Sequence, residues 1–468
     1  MKNTRIRFLI LVIFVLVSAC MPHASAQMFN YPPTETIDHT DTYHGIEVHD
    51  PYHWLEEDVR ESARVKDWVT AQNKVTFGYF KSVPQREPIR ERLTELWNFE
   101  KYETPFKKSG RYYFSKNDGL QNHFVLYVAD TFDGPRRILL NPNTWSKDGT
   151  LAFGRTAFSD DGRYVAYGVQ EAGSDWHTWK VRDIDTGKDL SDTLHYLKFT
   201  SVAWDPQSQG FYYAKYPDPD PSKKFQALNK KMKVMYHRLG TEQVDDKVVY
   251  HRPEHPDWDY FVWVTEDSHY LIITIWRGTD EKHRIVYKDL TDPRAAPLDL
   301  ISEFKNKYRF INNVGPIFYF LTDEGAPKRR VIAIDIRNPD KENWREVIAE
   351  SDTPLKTVNI VSDLFLCSTL VDVTMQVKVY TLDGEFVRTI ELPGLGTASG
   401  FGGRRDDTET FYSFQSMTSP PAIFRYDLVG HQSSPIECAS VDMNPDDYTV
   451  DRFSLLPGTV ENPDVYLL

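Results

Sequence analysis

The sequence predicts a mainly β protein, a seven-bladed β-propeller preceded by a short helical arm. The first observation is a repeat. Seven short aromatic or apolar strands, each followed by a polar turn and another apolar strand, begin 52, 47, 59, 47, 47 and 46 residues apart. A regular period of this size is typical of propellers, in which each four-stranded blade buries its faces against its neighbours. The second observation is the aromatic content of 14%, because aromatic side chains favour strands.

The repeat places one strand core and one blade in each unit. The strand cores are residues 112–114, 164–167, 211–213, 270–273, 317–320, 364–366 and 410–412. Turn signals that end in glycine lie at residues 117–119, 160–162, 185–187, 323–325 and 382–384. The first and last blades are predicted to start near Lys107 and Gly403. The ring then closes either by a strand shared between its ends or by contact between the first and last blades.

Residues 1–26 are predicted to be an export signal. Three basic residues and no acidic ones accompany an apolar run over residues 8–17, which is too short to span a bilayer. Cleavage after residues 24–26, Ala-Ser-Ala, would release a soluble protein that starts at Gln27. Residues 17–20 also resemble a bacterial lipobox, which would leave a lipid on Cys20. We therefore expect an exported protein, either periplasmic or lipid-anchored in a bacterial envelope.

Charge and cysteine content restrict the function. The net charge of −13 becomes −16 when the three basic residues of the signal are removed, and an acidic chain without a basic run is unsuited to nucleic acid. After the signal, Cys367 and Cys438 are too few for a disulfide framework. Cys367 lies in an apolar strand and is predicted to be a small buried hydrophobe. No cofactor and no metal are predicted.

The arm and the propeller differ in pattern. Residues 27–100 form the predicted arm, 101–430 the propeller, and 431–468 a linker with an aberrant tail. Helical spacing of apolar residues predicts helices over 62–80 and 87–97. The arm has too few elements to bury its large apolar residues by itself, so we expect another surface to cover them. These residues are Trp54, Leu55, Trp68 and Phe80.

Several motifs resemble the N-terminal half of the prolyl oligopeptidases, a family of serine peptidases. The matching segments are residues 50–56 (Asp-Pro-Tyr-His-Trp-Leu-Glu), 71–74 (Ala-Gln-Asn-Lys), 119–122 (Gly-Leu-Gln-Asn), 173–176 (Gly-Ser-Asp-Trp) and 199–204 (Phe-Thr-Ser-Val-Ala-Trp). The resemblance runs in one order from about Tyr31 to Tyr448.

The resemblance implies a fold and an activity. In the family, a seven-bladed propeller caps an α/β-hydrolase domain and restricts access to short peptides, and the N-terminal arm packs on the hydrolase domain. Cleavage follows proline and uses a Ser-Asp-His triad in the C-terminal half. Phe199 aligns with a family phenylalanine that contacts substrate, although a core aromatic on a strand is the alternative. Residues near Asp259 and Thr279 differ in type from family contacts and are not assigned.

The sequence holds no G-x-S-x-G string, which the nucleophile elbow of the hydrolase domain requires. Residues 396–400 place their serine one position too late. The chain leaves the family pattern near Asp451, and we expect residues beyond about Val450 to follow a frameshift or a gene-model break. The chain is thus predicted to be the propeller portion of a prolyl oligopeptidase-like endopeptidase, inactive alone. The alternatives are a stand-alone peptide- or protein-binding propeller and one half of a split peptidase.

Two shorter motifs are interpreted as structural. Residues 173–176 could be a serine site but favour a tight turn that precedes a strand. Residues 251–255 match the H-x-x-E-H zinc string, which requires a helix. Pro253 and Pro256 disfavour a helix there, so no zinc site is predicted.

Overall fold

The computed structural model describes residues 29–220, 228–439, 441 and 447–450, so Cys20, the export signal and residues 451–468 lie outside the described part. The described residues form two compact units, which divide between Glu95 and Leu96. No helix in the described part of the chain is long and apolar enough to cross a membrane.

The first unit begins with a β-hairpin, and two α-helices follow it. Its elements are β1 (Thr40–Tyr43) and β2 (Ile46–His49), which pair antiparallel, then α1 (Ala63–Ser82) and α2 (Arg86–Trp97). The hydroxyl of Ser62 accepts a hydrogen bond from the Val65 amide at 3.3 Å and caps the start of α1. Both helices lie within two residues of their predicted bounds.

The core of the first unit is a pair of tryptophans. Trp54 and Trp68 pack edge to face with ring centroids 6.5 Å apart, and Trp54 is only 4% exposed. Both indole N–H groups donate hydrogen bonds, to the Glu35 carbonyl at 2.9 Å and to the Thr34 hydroxyl at 3.0 Å. The prediction that Trp54 needs a covering surface from elsewhere is therefore wrong. Phe80, by contrast, is 43% exposed.

The second unit is a ring of seven antiparallel sheets, each built from consecutive strands. Blade 1 contains β3 (Lys101–Tyr102), β4 (Phe106–Lys108), β5 (Arg111–Asn117), β6 (Val125–Ala129) and β7 (Arg137–Leu140). Blade 2 contains β8 (Leu151–Phe158), β9 (Tyr164–Glu171), β10 (His177–Asp183) and β11 (Asp189–Leu197). Blade 3 contains β12 (Val202–Trp204), β13 (Gly210–Lys215), β14 (Lys233–Arg238) and β15 (Lys247–Tyr250).

The remaining four blades repeat this order. Blade 4 contains β16 (Trp258–Val264), β17 (Tyr270–Arg277), β18 (Arg284–Asp289) and β19 (Leu298–Ile301). Blade 5 contains β20 (Tyr308–Val314), β21 (Ile317–Thr322), β22 (Arg330–Asp335) and β23 (Arg345–Ile348). Blade 6 contains β24 (Leu355–Val361), β25 (Leu364–Val371), β26 (Thr374–Thr381) and β27 (Phe386–Ile390). Blade 7 contains β28 (Thr397–Gly402), β29 (Glu409–Gln415), β30 (Ala422–Asp427) and β31 (Gln432–Cys438).

All seven predicted strand cores lie in the strand next to the inner edge of a blade, which is β5 in blade 1 and the second strand in the other six, and this confirms the repeat. These strands are apolar on both faces because each blade packs against two neighbours. In β17, Leu271 and Ile273 join a cluster with blade 3, whereas Ile272 points the other way into a cluster with blade 5. The core is therefore divided into clusters between blades. Cys367, 1% exposed in β25, belongs to one of them, as predicted.

The ring closes without a shared strand. In the described residues, blade 1 uses only strands from the start of the ring and blade 7 only strands from its end. The first and last blades instead meet through side chains such as Phe132 and Phe411, whose rings stack 5.6 Å apart. Of the two closures left open by the sequence, the structure has the second.

One of the predicted glycine turns lies where two blades approach each other closely. Gly384 has φ +89°, a left-handed conformation that favours glycine. A Cβ there would lie 1.8 Å from the Val347 carbonyl oxygen of blade 5. Position 384 therefore requires glycine for two reasons, its backbone conformation and the close approach of two blades.

The start of the last blade differs from the prediction. Its first strand is β28, which begins at Thr397, and Gly403 follows its end. The strand was missed because Gly400 and Gly402 interrupt its apolar pattern. The last strand ends at Cys438, while the predicted boundary of the propeller at residue 430 falls just before it.

Candidate functional site in the propeller channel

The first strands of the blades surround a central channel, which contains a cavity of about 920 Å³. Because each blade begins at its inner strand, these strands all run in one direction around the channel. Residues that precede the inner strands lie at one mouth, and residues that follow them lie at the other.

One wall of the cavity is aromatic. Phe261 and Trp263 alternate along β16 with Tyr260 and Val262, which are fully buried between blades. This alternation is the period of a strand, so the first two residues face the channel. Trp263 is 56% exposed, and the guanidinium of Arg155 on blade 2 lies 5.5 Å from the ring centre of Phe261. Such a wall offers flat apolar surfaces to an extended peptide.

Blade 7 contributes glycines to the lining of the cavity. Gly400 and Gly402 line the cavity on β28 of blade 7. A Cβ at Gly400 would lie 2.6 Å from the Phe411 carbonyl oxygen, so the strand pair permits no side chain there. Blade 7 thus presents backbone to the cavity at these two glycines, whereas blade 4 presents rings.

Charged groups collect at the mouth where the inner strands end. We call this group the charged mouth; it consists of Lys107, Lys108, Asp160, Glu266, Arg404 and Asp407, all of which line the cavity. Their side chains are 6% to 30% exposed. Lys107 pairs with Asp407 at 3.0 Å, and Lys108 pairs with Asp160. Cations and anions are balanced there, so the mouth is polar without being strongly positive or negative.

Phe199, the predicted substrate contact, lies at the opposite mouth. It precedes β12 by three residues and does not line the 920 Å³ cavity. Its ring is 49% exposed, and its φ of 54° is in the left-handed region, which costs a non-glycine residue about 1 kcal/mol or more. The ammonium of Lys198 lies 4.9 Å from the ring centre. An exposed aromatic in a strained conformation is compatible with binding, and the contact stays a prediction.

A buried carboxyl group lies near the same mouth. Asp259, at the start of β16, is 8% exposed and accepts a hydrogen bond from the Tyr216 hydroxyl at 2.5 Å. Burial raises the pKa of Asp259, and the hydrogen bond only partly offsets this. Asp259 thus supports the packing of blades 3 and 4.

The two motifs interpreted as structural form turns. Ser174 accepts a hydrogen bond from the Trp176 amide at 3.1 Å, so its hydroxyl stabilises the turn between β9 and β10. His255 donates its amide to the Arg252 carbonyl in a turn and stacks on Trp258 at 3.9 Å. The zinc string is therefore not on a helix.

Sequence reasoning missed the charged mouth. Its members occupy the same place in several repeats, directly after or at the end of the inner strand. A comparison of the repeats would have aligned Lys108, Asp160, Glu266 and Arg404, four charges in a period otherwise marked by apolar residues. The sequence analysis used the turns only for their glycines and did not compare the charged residues of one repeat with those of the next.

The chain is similar to known proteins over almost all of the described region. The sequence profile of the family described as prolyl oligopeptidase, N-terminal beta-propeller domain, matches residues 32–438. A prolyl endopeptidase of Elizabethkingia meningoseptica is 36% identical over 439 residues, which cover 94% of this chain and 61% of the relative. The dual function macrocyclase-peptidase POPB of Amanita bisporigera is 30% identical and covers 87% of this chain and 60% of its own length.

Solved structures agree with these relatives. A structure from work on two prolyl endopeptidases and their inter-domain dynamics has a TM-score of 0.81 at 34% identity, and covers 90% of this chain and 61% of that one. Prolyl oligopeptidase B from Galerina marginata, bound to a 35mer hydrolysis and macrocyclization substrate, has a TM-score of 0.78 at 28% identity. The match covers 89% of this chain and 62% of that one. The chain spans about 61% of the length of the relatives it matches.

Proposed function

The chain belongs to the prolyl oligopeptidase family, and we propose that it is the access-controlling part of a serine peptidase that cleaves short peptides after proline. The observation that carries this proposal is the channel. A closed ring of seven blades surrounds a cavity of about 920 Å³, which is in the size range of sites for drug-sized ligands and short peptides. A folded protein domain does not fit through such an opening, so the ring selects for small or extended substrates.

The reacting groups belong to a separate part in this proposal. The chain holds no G-x-S-x-G string, and the relatives extend beyond the part that matches. A serine nucleophile with its histidine base and aspartate would come from an α/β-hydrolase part. The role of the propeller is then to admit peptides, and Phe199 would contact the residues of a peptide on the non-proline side.

The helices of the first unit support a hydrolase partner over a stand-alone binding module. Phe77 and Phe80 are 56% and 43% exposed and lie three residues apart on α1. Ile89 and Leu93 are 56% and 53% exposed and lie four residues apart on α2. Residues at these spacings share one helix face. Exposed apolar groups of this kind mark an interface or cause association, and we assign them to the hydrolase part.

The proposal is tested on the purified chain with a chromogenic Gly-Pro substrate and a fluorophosphonate probe. We expect no turnover and no stoichiometric labelling, with an intact prolyl endopeptidase relative as the positive control. Turnover or a labelled serine would show a nucleophile within this chain and overturn the proposal.

The helix surface has its own test by light scattering. The double variant Ile89→Glu with Leu93→Glu should reduce self-association of the chain, because it places charges on the exposed face. Val244→Glu is the matched control, since Val244 is 90% exposed on the propeller. A chain that stays monomeric without the substitutions, and binds proline peptides without cleaving them, would favour the stand-alone binding module.

The location of the protein is a further part of the proposal. We propose export to the bacterial envelope, on the strength of the signal-like residues 1–26. Intact mass of the protein isolated from membranes and from the periplasm distinguishes a chain that starts at Gln27 from one that carries a lipid on Cys20. A full-length mass with the signal retained would contradict export.

A further inference from the structure

A loop of blade 7 reaches across the channel. Residues 403–408 join β28 to β29, and we call them the cap loop. In a ring of seven blades, blade 7 has only blades 6 and 1 at its sides. The Arg404 guanidinium nevertheless lies 3.3 Å from a carboxylate oxygen of Asp160 on blade 2 and donates to the Glu266 carbonyl on blade 4 at 3.3 Å. The contact with blade 4, which is three blades away from blade 7, places the Arg404 side chain across the channel.

Arg405 links the loop to blades 4 and 5 across the channel and to the neighbouring blade 6. Its backbone N–H donates to Glu266 Oε1 at 2.9 Å, so the loop backbone itself reaches blade 4. Its guanidinium donates to the Asn313 carbonyl on blade 5 at 3.3 Å and to Asp363 on blade 6 at 2.6 Å. The Asn312 side chain donates to the other oxygen of Glu266 at 2.8 Å. Glu266 is therefore the acceptor on which the cap loop rests.

The strand that leads into the loop is built to bend. A β-bulge lies between Gly400 and Gly402, and Phe401 between them has φ 57°. Gly400 has φ +116°, in the region that favours glycine, so the backbone at the start of the bulge requires a residue without a side chain. The Phe401 ring is 1% exposed and stacks on Tyr412 at 4.6 Å, which anchors the base of the loop.

Polar contacts hold the far end of the loop. Arg404 and Arg405 keep 29% and 27% of their side chains exposed, and their partners are carboxylates and carbonyls. Ion pairs of this exposure are each worth little and are weakened by salt. Several acting together can hold a loop closed and still release it, because each link costs little to break.

We propose that the cap loop is a latch that covers the mouth at the ends of the inner strands and opens when the links of Arg404 and Arg405 to blades 2, 4 and 5 break. The inference rests on the proposed function, in which the channel controls access. It adds that access through this mouth is switchable, and that salt or competing charged groups of a peptide are what switch it.

Two single cysteines in the channel test the latch in the full chain. Trp263→Cys lies near the covered mouth on the channel-facing side of β16, and Thr274→Cys lines the cavity farther along, opposite Phe261 in the strand register. Two residues along a strand separate their levels by about 7 Å. Both are placed in a background with Cys20→Ser and Cys438→Ser, and labelling by a maleimide is followed by mass spectrometry.

The expected result is selective. Replacing Arg404 and Arg405 by Met should raise the labelling rate of the cysteine at 263 about tenfold, since several weak links are lost, and that at 274 less than about twofold. High salt should have the same effect on the parent but little on the double Met variant. The control Arg294→Met removes a charge that is 94% exposed and should change neither rate.

The native Cys367 distinguishes opening from unfolding, because it is 1% exposed and should stay unlabelled throughout. An unchanged rate at position 263, or equal changes at both positions without labelling of Cys367, would overturn the latch. Labelling of Cys367 in the double Met variant would also overturn it, since the arginines would then stabilise the fold as a whole. The readout uses no peptidase activity, so a failed latch leaves the proposed function standing, and the reverse also holds.

Discussion

Six of the seven blade junctions differ from the one that closes the ring. Between successive blades from 1 to 7, clusters of buried apolar side chains join each pair of sheets. The junction of blades 7 and 1 is joined by aromatic and charged groups. The buried carboxylate of Glu409 accepts a hydrogen bond from the Tyr112 hydroxyl at 2.5 Å and forms an ion pair with Arg425. The Arg425 guanidinium lies 4.8 Å from the ring centre of Phe132. An ion pair between Arg136 and Glu437 at 2.8 Å adds to this junction.

The difference follows from connectivity. Successive blades are joined by short links, so apolar contact forms between segments that are already close along the chain. Blades 7 and 1 meet from opposite ends of the ring, and the Tyr112–Glu409 bond joins residues 297 positions apart. Hydrogen bonds and ion pairs depend on orientation, so they fix one register for the closing contact. They also keep the closing surfaces less apolar while the ring is open.

Phe320→Ala tests the apolar junctions and should have the largest effect. Phe320 is fully buried in the cluster between blades 4 and 5, and removal of its ring leaves a cavity. We expect the free energy of unfolding to fall by about 3–5 kcal/mol. Denaturant unfolding followed by tryptophan fluorescence measures this change. A loss below about 1 kcal/mol would show that the apolar clusters do not carry the stability of the ring.

Glu409→Ala tests the closing junction and should cost less, about 2–3 kcal/mol. The Tyr112 hydroxyl and the Arg425 guanidinium both lose their acceptor, although Arg425 is 41% exposed and regains water. Burial, together with the bond to Glu409, raises the pKa of Tyr112 to about 12, so the hydroxyl remains a donor at neutral pH.

The location of the loss distinguishes the two kinds of junction. Hydrogen exchange of the Glu409→Ala variant should increase in blades 1 and 7 and stay unchanged in blades 3 to 5. Glu409→Gln keeps an acceptor for the tyrosine and should recover part of the protection. Equal loss of protection in all blades would mean that the ring opens as one unit and that its closing junction is not distinct.

The sequence predicted the blades because the strand next to the inner edge of each blade is apolar on both faces. Such a strand is a short apolar run, which is visible from consecutive residues alone. It also predicted the glycine turns, since a left-handed residue such as Gly384 depends on neighbours along the chain. It misplaced the start of the last blade, whose inner strand is rich in glycine. It also assigned Trp54 to a partner, because the ring that covers it, Trp68, comes 14 residues later and on a helix.

The contacts of the charged mouth could not be predicted from the sequence for a different reason. Arg404 and Asp160 are 244 positions apart, and Arg405 and Glu266 are 139 apart. Neither pair touches through neighbouring blades, so even a correct blade count does not bring them together. The closure of a ring creates contacts that depend on its diameter and on the length of one loop, and neither quantity is encoded in a periodic pattern.

One apolar junction contains a buried charge, and its pH dependence is the subtlest test of the comparison. His237 on β14 of blade 3 contacts Asp246 at 2.7 Å and Asp192 of blade 2 at 3.1 Å, and all three side chains are at most 2% exposed. Burial by itself lowers the pKa of His237, but the two carboxylates outweigh it and raise the pKa to about 9. Burial would raise the pKa of Asp192, yet His237 and the Gly240 amide hold it below its ordinary value.

Because the folded pKa of His237 is above its value of about 6.5 in the unfolded chain, the charged histidine stabilises the fold fully below pH 6.5. This contribution decreases as the pH rises towards 9, so the free energy of unfolding should fall by about 2 kcal/mol between pH 7 and pH 9. The depressed pKa of Asp192 has the opposite sign and removes stability in acid. Denaturant midpoints across this range, compared with His237→Gln, measure the effect. A parent midpoint as independent of pH as that of His237→Gln would mean that the histidine is neutral and that the junction of blades 2 and 3 is as uncharged as its apolar neighbours.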